Sequence, residues 1–175
     1  NKAGRTDEAM EAYQKQIERN PNNATYRYNY GSLLLQAERY DEAIEQLSKA
    51  TDLESGNVRA QYNLGAAYTN KARRIQDSLT TLNDSLDSIT EAAMEENREP
   101  TAEEEQMVNE IDSTITELEE RQGELFRQAI PPLERARQMA DASESSFKQD
   151  ACTALVTAYV QIEQTAKAQA LEDCA

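Results

Sequence analysis

Two stripes of small and apolar residues constrain this chain more than any other feature. Gly65, Tyr68, Ala72, Ile75, Leu79, Leu82, Leu86, Ile89 and Ala93 recur at intervals of three and four, the spacing that sets side chains along one side of a single long helix. Glu104, Val108, Ile111, Ile115, Leu118, Gln122, Leu125, Ala129 and Leu133 repeat the same spacing. In an antiparallel hairpin the numbers of facing residues share one sum, and Leu133 with Leu64, Ala129 with Tyr68, Ile115 with Leu82 and Val108 with Ile89 all give 197. That constant puts the turn near residues 98 and 99, inside Asn97-Arg98-Glu99-Pro100-Thr101, a strong turn signal that played no part in the pairing. Thr101 with Glu104 three residues on makes a capping box, and the acids Glu103 to Glu105 suit the positive end of the returning helix. At 1.5 Å of rise per residue, an arm from Lys71 to Arg98 would reach about 40 Å.

The second organising signal is an internal repeat. Ala9, Tyr13 and Pro21 are answered by Ala43, Leu47 and Ser55, and Tyr28-Asn29-Tyr30-Gly31 by Tyr62-Asn63-Leu64-Gly65, each 34 residues on. Within one period two amphipathic helices are predicted, about Ala24 to Ala37 and about Tyr40 to Leu53, with a short polar turn between them. Asn20-Pro21-Asn22-Asn23 and Ser55-Gly56-Asn57 close the units with residues that end helices.

With Tyr30-Gly31 and Leu34 on a first helix, Ala43, Leu47 and Ala50 on a second, and Leu64-Gly65 and Tyr68 opening the next unit, the chain resembles the tetratricopeptide repeat family. The resemblance implies an all-α fold, a solenoid of antiparallel helix pairs, here with a protruding antiparallel coiled-coil hairpin. Gly and Ala at these places let two helices approach closely while the aromatic fills the adjoining gap. Arg27 and Gln61 stand where the family often carries Trp, and Ser55 replaces its closing Pro.

One period on from Ala43 the pattern fails, because Asp77 stands there; it resumes at Phe126, Ala129, Leu133 and Ala136, which implies an insertion of 52 residues in the turn of a repeat. The expected organisation is the second helix of a truncated first repeat at 1–23, a complete repeat at 24–57, and a repeat at 58–140 interrupted by a helical hairpin at 72–124. A loop at 141–148 and a last repeat at 149–175 follow. Leu155, Tyr159 and Ala168 sit at family positions in the last repeat. Pro131-Pro132 predicts that the returning helix ends or bends near Gln128 to Ile130 and restarts, since proline inside a helix removes a donor and clashes with the preceding turn. In the truncated first unit, Ala9, Tyr13 and Ile17 are expected to leave an apolar face that pairs with a second copy.

Composition narrows the function. The chain has 175 residues with no apolar run long enough to span a bilayer. It opens on Asn1-Lys2-Ala3-Gly4, neither a Met nor a leader, which reads as a piece of something longer and leaves the compartment unknown. There are 33 acidic against 18 basic residues, and Lys71 to Leu125 alone holds 16 against 5, a net of −11. Nucleic acid is excluded as a partner on this balance, because phosphate binding needs a positive field. The acidic surface reads as a solvated face, as a docking arm for a basic partner or, with 12 Arg against 6 Lys, as adaptation to a salty environment. Cys152 and Cys174, 22 apart, fit neither a C-x-x-C pair nor a disulfide framework and are expected to be ordinary free thiols. No His is present, which removes Ser-His-Asp, Cys-His and histidine-metal chemistry. No glycine-rich phosphate loop exists, the tip carboxylates Glu95, Glu96, Glu99 and Glu103 to Glu105 lack calcium-loop spacing, and no enzyme activity, cofactor or metal is expected.

Binding is therefore the expected function. By the resemblance, exposed residues of the first helices line a concave groove: Thr25, Tyr28, Asn29, Ser32 and Gln36, then Arg59, Tyr62, Asn63, Ala66 and Asn70, then Asp150, Thr153, Thr157 and Gln161. Tyr supplies flat apolar area with a polar end, and Asn amides can bracket an extended backbone. Family members that grip a C-terminal carboxylate use paired Lys and Arg with Asn; Asn63 fits, but Tyr28, Ser32, Asp150 and Ala154 occupy the other clamp places, so an anionic peptide tail is not the expected ligand. The expected partner is an unidentified protein or peptide segment. The alternative is a structural spacer that self-associates or docks through the acidic hairpin, with self-association through the truncated N-terminal helix as a further route.

Overall fold

The computed structural model describes residues 2–95, 98–140, 145–171 and 174, and among these every regular element is helical. The order is α1 Lys2–Arg19, α2 Ala24–Gln36, α3 Tyr40–Leu53, α4 Val58–Glu95, α5 Ala102–Met139, α6 Ser145–Gln161 and α7 Thr165–Gln169. Asn1–Lys71 together with Leu125–Ala175 forms one compact unit, and Ala72–Glu124 forms another.

Helix boundaries follow local chemistry. Asn23 starts α2 by accepting the amide of Tyr26 at 2.9 Å, and Asn57 starts α4 by accepting that of Ala60 at 3.0 Å. The turns that end α2 and α6 are the same device. Glu38 (φ 58°) and Glu163 (φ 60°) adopt the left-handed conformation. The amides that follow them reach back, Arg39 to the Leu34 carbonyl at 2.9 Å and Gln164 to that of Tyr159 at 2.8 Å.

The first unit has two apolar clusters. In one, Met10, Tyr30, Leu34, Ala43, Leu47, Leu64 and Ala67 gather from α1 to α4. In the other, Val58, Ala129, Leu133, Ala136, Ala151, Leu155, Tyr159, Ala168 and Leu171 gather from α4 to the segment after α7. Tyr68 packs against both. Two glycines let the helix pairs close: a Cβ on Gly31 would lie 2.7 Å from Leu47 Cγ, and one on Gly65 would lie 2.4 Å from Leu133 Cγ. The residues at the family's Trp place also behave alike. Arg27 Nε donates to the Pro21 carbonyl at 2.7 Å, and Gln61 Nε2 to the Ser55 carbonyl at 3.2 Å, each six residues back. A polar side chain thus ties each first helix to the turn that closes the preceding unit. Lys71 pairs with Asp41, linking α4 to the start of α3.

In the second unit, the stripe residues Ala72, Leu79, Ala93 and Gln122 are buried, and Ile75, Leu82, Leu86, Ile89, Val108, Ile111, Ile115 and Leu118 are half-buried. Gln122 Nε2 donates to the Ala72 carbonyl at 3.1 Å and to Gln76 Oε1 at 3.2 Å. At the turn, Arg98 donates from both terminal nitrogens to Glu104, each at 2.7 Å. Glu104 in turn accepts the Thr101 amide at 2.7 Å while its own amide reaches Thr101 Oγ1 at 3.3 Å, the reciprocal box expected from the sequence.

Four expectations need correction. α5 continues through Pro131 and Pro132 without a break. Buried Ala129, Leu133 and Ala136 on both sides hold the helix in place against the cost of about 3 kcal/mol or more that an internal proline carries. α1, which the sequence places from Asp7 to Arg19, begins at Lys2. The loop expected over 141–148 is helical from Ser145, because Phe147 and Ala151 pack against the second cluster; residues 141–144 lie outside those described. Cys152 and Cys174 are joined in a disulfide with their Cα atoms 5.9 Å apart, since the turn after α6 brings the end of the chain back alongside that helix. At the other end of the chain, Tyr13 and Ile17 are partly covered by the first cluster, which also takes in Met10.

Candidate protein-interaction face

The residues expected to line a groove come from α2, the first turns of α4, and α6. Asn63 Nδ2 on α4 donates to Ser32 Oγ on α2 at 2.9 Å. Ser32 Oγ donates in turn to the Tyr28 carbonyl at 2.8 Å. This chain of bonds joins three of the expected residues across two successive first helices. Beside them Asn29 and Tyr62 are half-buried, and Gln36 and Arg59 are exposed.

A second junction joins α4 to α6 and includes a residue the sequence reading missed. The rings of Tyr62 and Phe147 meet edge to face with centroids 5.6 Å apart, and the Arg59 guanidinium lies 5.6 Å from the Phe147 ring centre. Burial pushes the Tyr62 hydroxyl up from its ordinary pKa, and the charge of Asp150 adds to the shift. Phe147 precedes Ala151 and Leu155 by four and eight residues. That helical spacing was available as a signal but was masked by the polar run before it.

Thr157 is half-buried, with its hydroxyl donating to the Thr153 carbonyl at 3.1 Å. Gln161 is exposed at the end of α6, and Asn70 is half-buried further along α4. The hydrogen bond of Thr157 stays within α6 and does not reach the Ser32–Asn63 or Tyr62–Phe147 pair. A separate cavity of about 410 Å³ lies between α1 and α3, lined by Ile17, Pro21, Tyr30 and the carboxylates of Glu18, Glu42 and Glu45, and holds none of the expected groove residues. Two of those carboxylates already pair within the chain, Glu42 with Arg39 and Glu45 with Lys49.

Among the described residues no three His, Cys, Asp or Glu side chains gather as a cation site. No helix there is long and apolar enough to cross a membrane.

The family model described as Tetratricopeptide repeat matches residues 2–57 and 34–93, together more than half of the chain. The chain belongs to the tetratricopeptide repeat family, whose helical repeats serve as scaffolds that bind other proteins or peptides. Among solved structures it is similar to "Crystal structure of MamA protein", at 18% identity, covering 97% of this chain and 80% of that one with a TM-score of 0.38. It is also similar to "Crystal structure of MamA", at 19% identity, covering 95% and 94% with a TM-score of 0.38. No curated protein matches the sequence.

Proposed function

We propose that this scaffold takes an extended peptide segment of a partner protein along the face made by α2, α4 and α6. The observation that carries the reading is the Tyr28–Ser32–Asn63 chain of hydrogen bonds. It fixes the Asn63 amide between two first helices with Tyr28, Asn29 and Tyr62 half-exposed around it. A held amide and flat aromatic area can pair with a peptide backbone without first losing rotamer freedom.

The reading includes residues 72–124 as a hairpin inserted in the turn of a repeat. What supports it is a recurring contact: Gly31 meets Leu47 sixteen residues later, and Gly65 meets Leu133, the same interval lengthened by 52. A second reading, in which the insertion self-associates or docks on a basic surface, draws on the net charge of −11 over Lys71 to Leu125. Pairing of two copies through α1 belongs with it, drawing on the half-buried Ala9, Tyr13 and Ile17. A monomer in small-angle scattering at high concentration would remove that route.

A displayed random-peptide library separates the readings. Peptides selected on the full chain should lose about tenfold in affinity, ~1.4 kcal/mol, with Tyr62→Ala or Asn63→Ala. They should bind unchanged when 72–124 is replaced by a short turn. Loss on that deletion with indifference to both point changes would move the function to the insertion.

A further inference from the structure

We propose that the Cys152–Cys174 disulfide is a redox-sensitive strap that keeps α7 in place against α6 and releases it on reduction. Cys152 stands 91 residues after Gln61, the same interval that separates Tyr68 from Tyr159, so it occupies the repeat position held by Arg27 and Gln61 in the earlier units. There the side chain ties its helix to the turn behind it. In the last unit the same position is tied forward, to a cysteine 22 residues on that follows α7.

α7 needs such a tie. It is five residues long, Thr165–Gln169, far below the roughly 12 to 15 residues at which an isolated helix begins to persist. Ala168 of α7 and Leu171 just after it lie in the cluster with Ala151, Leu155 and Tyr159, and Lys167 lies 5.3 Å from the Tyr159 ring centre.

The reaction is thiol–disulfide exchange with a dithiol reductant. Cys152 is fully buried and Cys174 is half-buried, so the attacking thiolate reaches Cys174 Sγ first. A mixed disulfide forms there, Cys152 leaves as a thiolate and takes up a proton, and the second thiol of the reductant displaces Cys174 as it closes its own disulfide. Two electrons and two protons pass to the chain. Because disulfides persist in oxidising compartments and are reduced in the cytosol, the state of the strap follows the surroundings of the protein.

Hydrogen exchange on the full chain, with and without dithiothreitol, tests this. Peptides spanning 162–171 should lose protection by about tenfold or more on reduction, as the closed loop opens, while those from α2 and α3 stay unchanged. Cys174→Ser, which leaves the buried Cys152 in place, should give the same fast exchange and no response to dithiothreitol. Equal exchange in oxidised and reduced wild type would overturn the proposal. So would a Cys174→Ser chain as protected as the oxidised protein, or peptide mapping of protein treated with oxidised glutathione that finds both thiols free.

Discussion

Leu133 of α5 lies directly on the backbone of Gly65 in α4, where a Cβ would come within 2.4 Å of its Cγ and 3.2 Å of the Ala129 carbonyl oxygen. Neither neighbour can yield cheaply, since Leu133 and Ala129 are fully buried. Gly65→Ala is expected to destabilise the chain by about 1–3 kcal/mol, the usual cost of overfilling a packed contact. Gly56→Ala, with nothing within 4 Å of the new methyl, should stay within about 0.5 kcal/mol. Urea unfolding of both variants reads the difference.

Asn63 and Ser32 are coupled across two helices by one part-buried hydrogen bond. Asn63→Ala should lower stability by about 0.5–1.5 kcal/mol. Ser32→Ala in the Asn63→Ala background should then cost less than in the wild type. Additive effects in that double-mutant cycle would show that the two side chains act independently.

Glu163 holds φ 60° at the turn after α6, a conformation that strains any residue with a Cβ. Glu163→Gly should raise stability by about 0.5–1 kcal/mol, net of the extra freedom glycine gives the unfolded chain. A thermal midpoint that drops would mean that the carboxylate contributes more than the strain costs.

The hydrogen bonds from Arg98, then those from Thr101, hold the Glu104 carboxyl down at about 2. A depressed folded-state pKa contributes stability that is present above the unfolded value, near 4.3, and is lost as the pH falls from there towards 2. Carbon-detected NMR titration of Glu104 should show its midpoint near 2, and Arg98→Ala should return it to the ordinary carboxylate range. A wild-type midpoint above 4 would mean that the pairing at the turn does not form in solution.

Much of this was legible in the chain. The Thr101–Glu104 box is a relation between residues three apart, and helix geometry alone brings such residues together. The face was legible in part: a 34-residue period places Tyr28 and Tyr62 on equivalent turns. It could not show that Asn63 bonds to Ser32, or that Phe147 reaches Arg59 and Tyr62, because those contacts join residues 31, 85 and 88 apart in the chain.

By itself the sequence determined the helical class, the 34-residue period and the side that each helix shelters, since these depend on spacing along one backbone. Only the tertiary structure decided that α5 runs on through Pro131 and Pro132, that Cys152 meets Cys174, and that Phe147 meets Tyr62. Each of those outcomes rests on packing between segments far apart in the chain, where the apolar area buried outweighs what local preference would dictate.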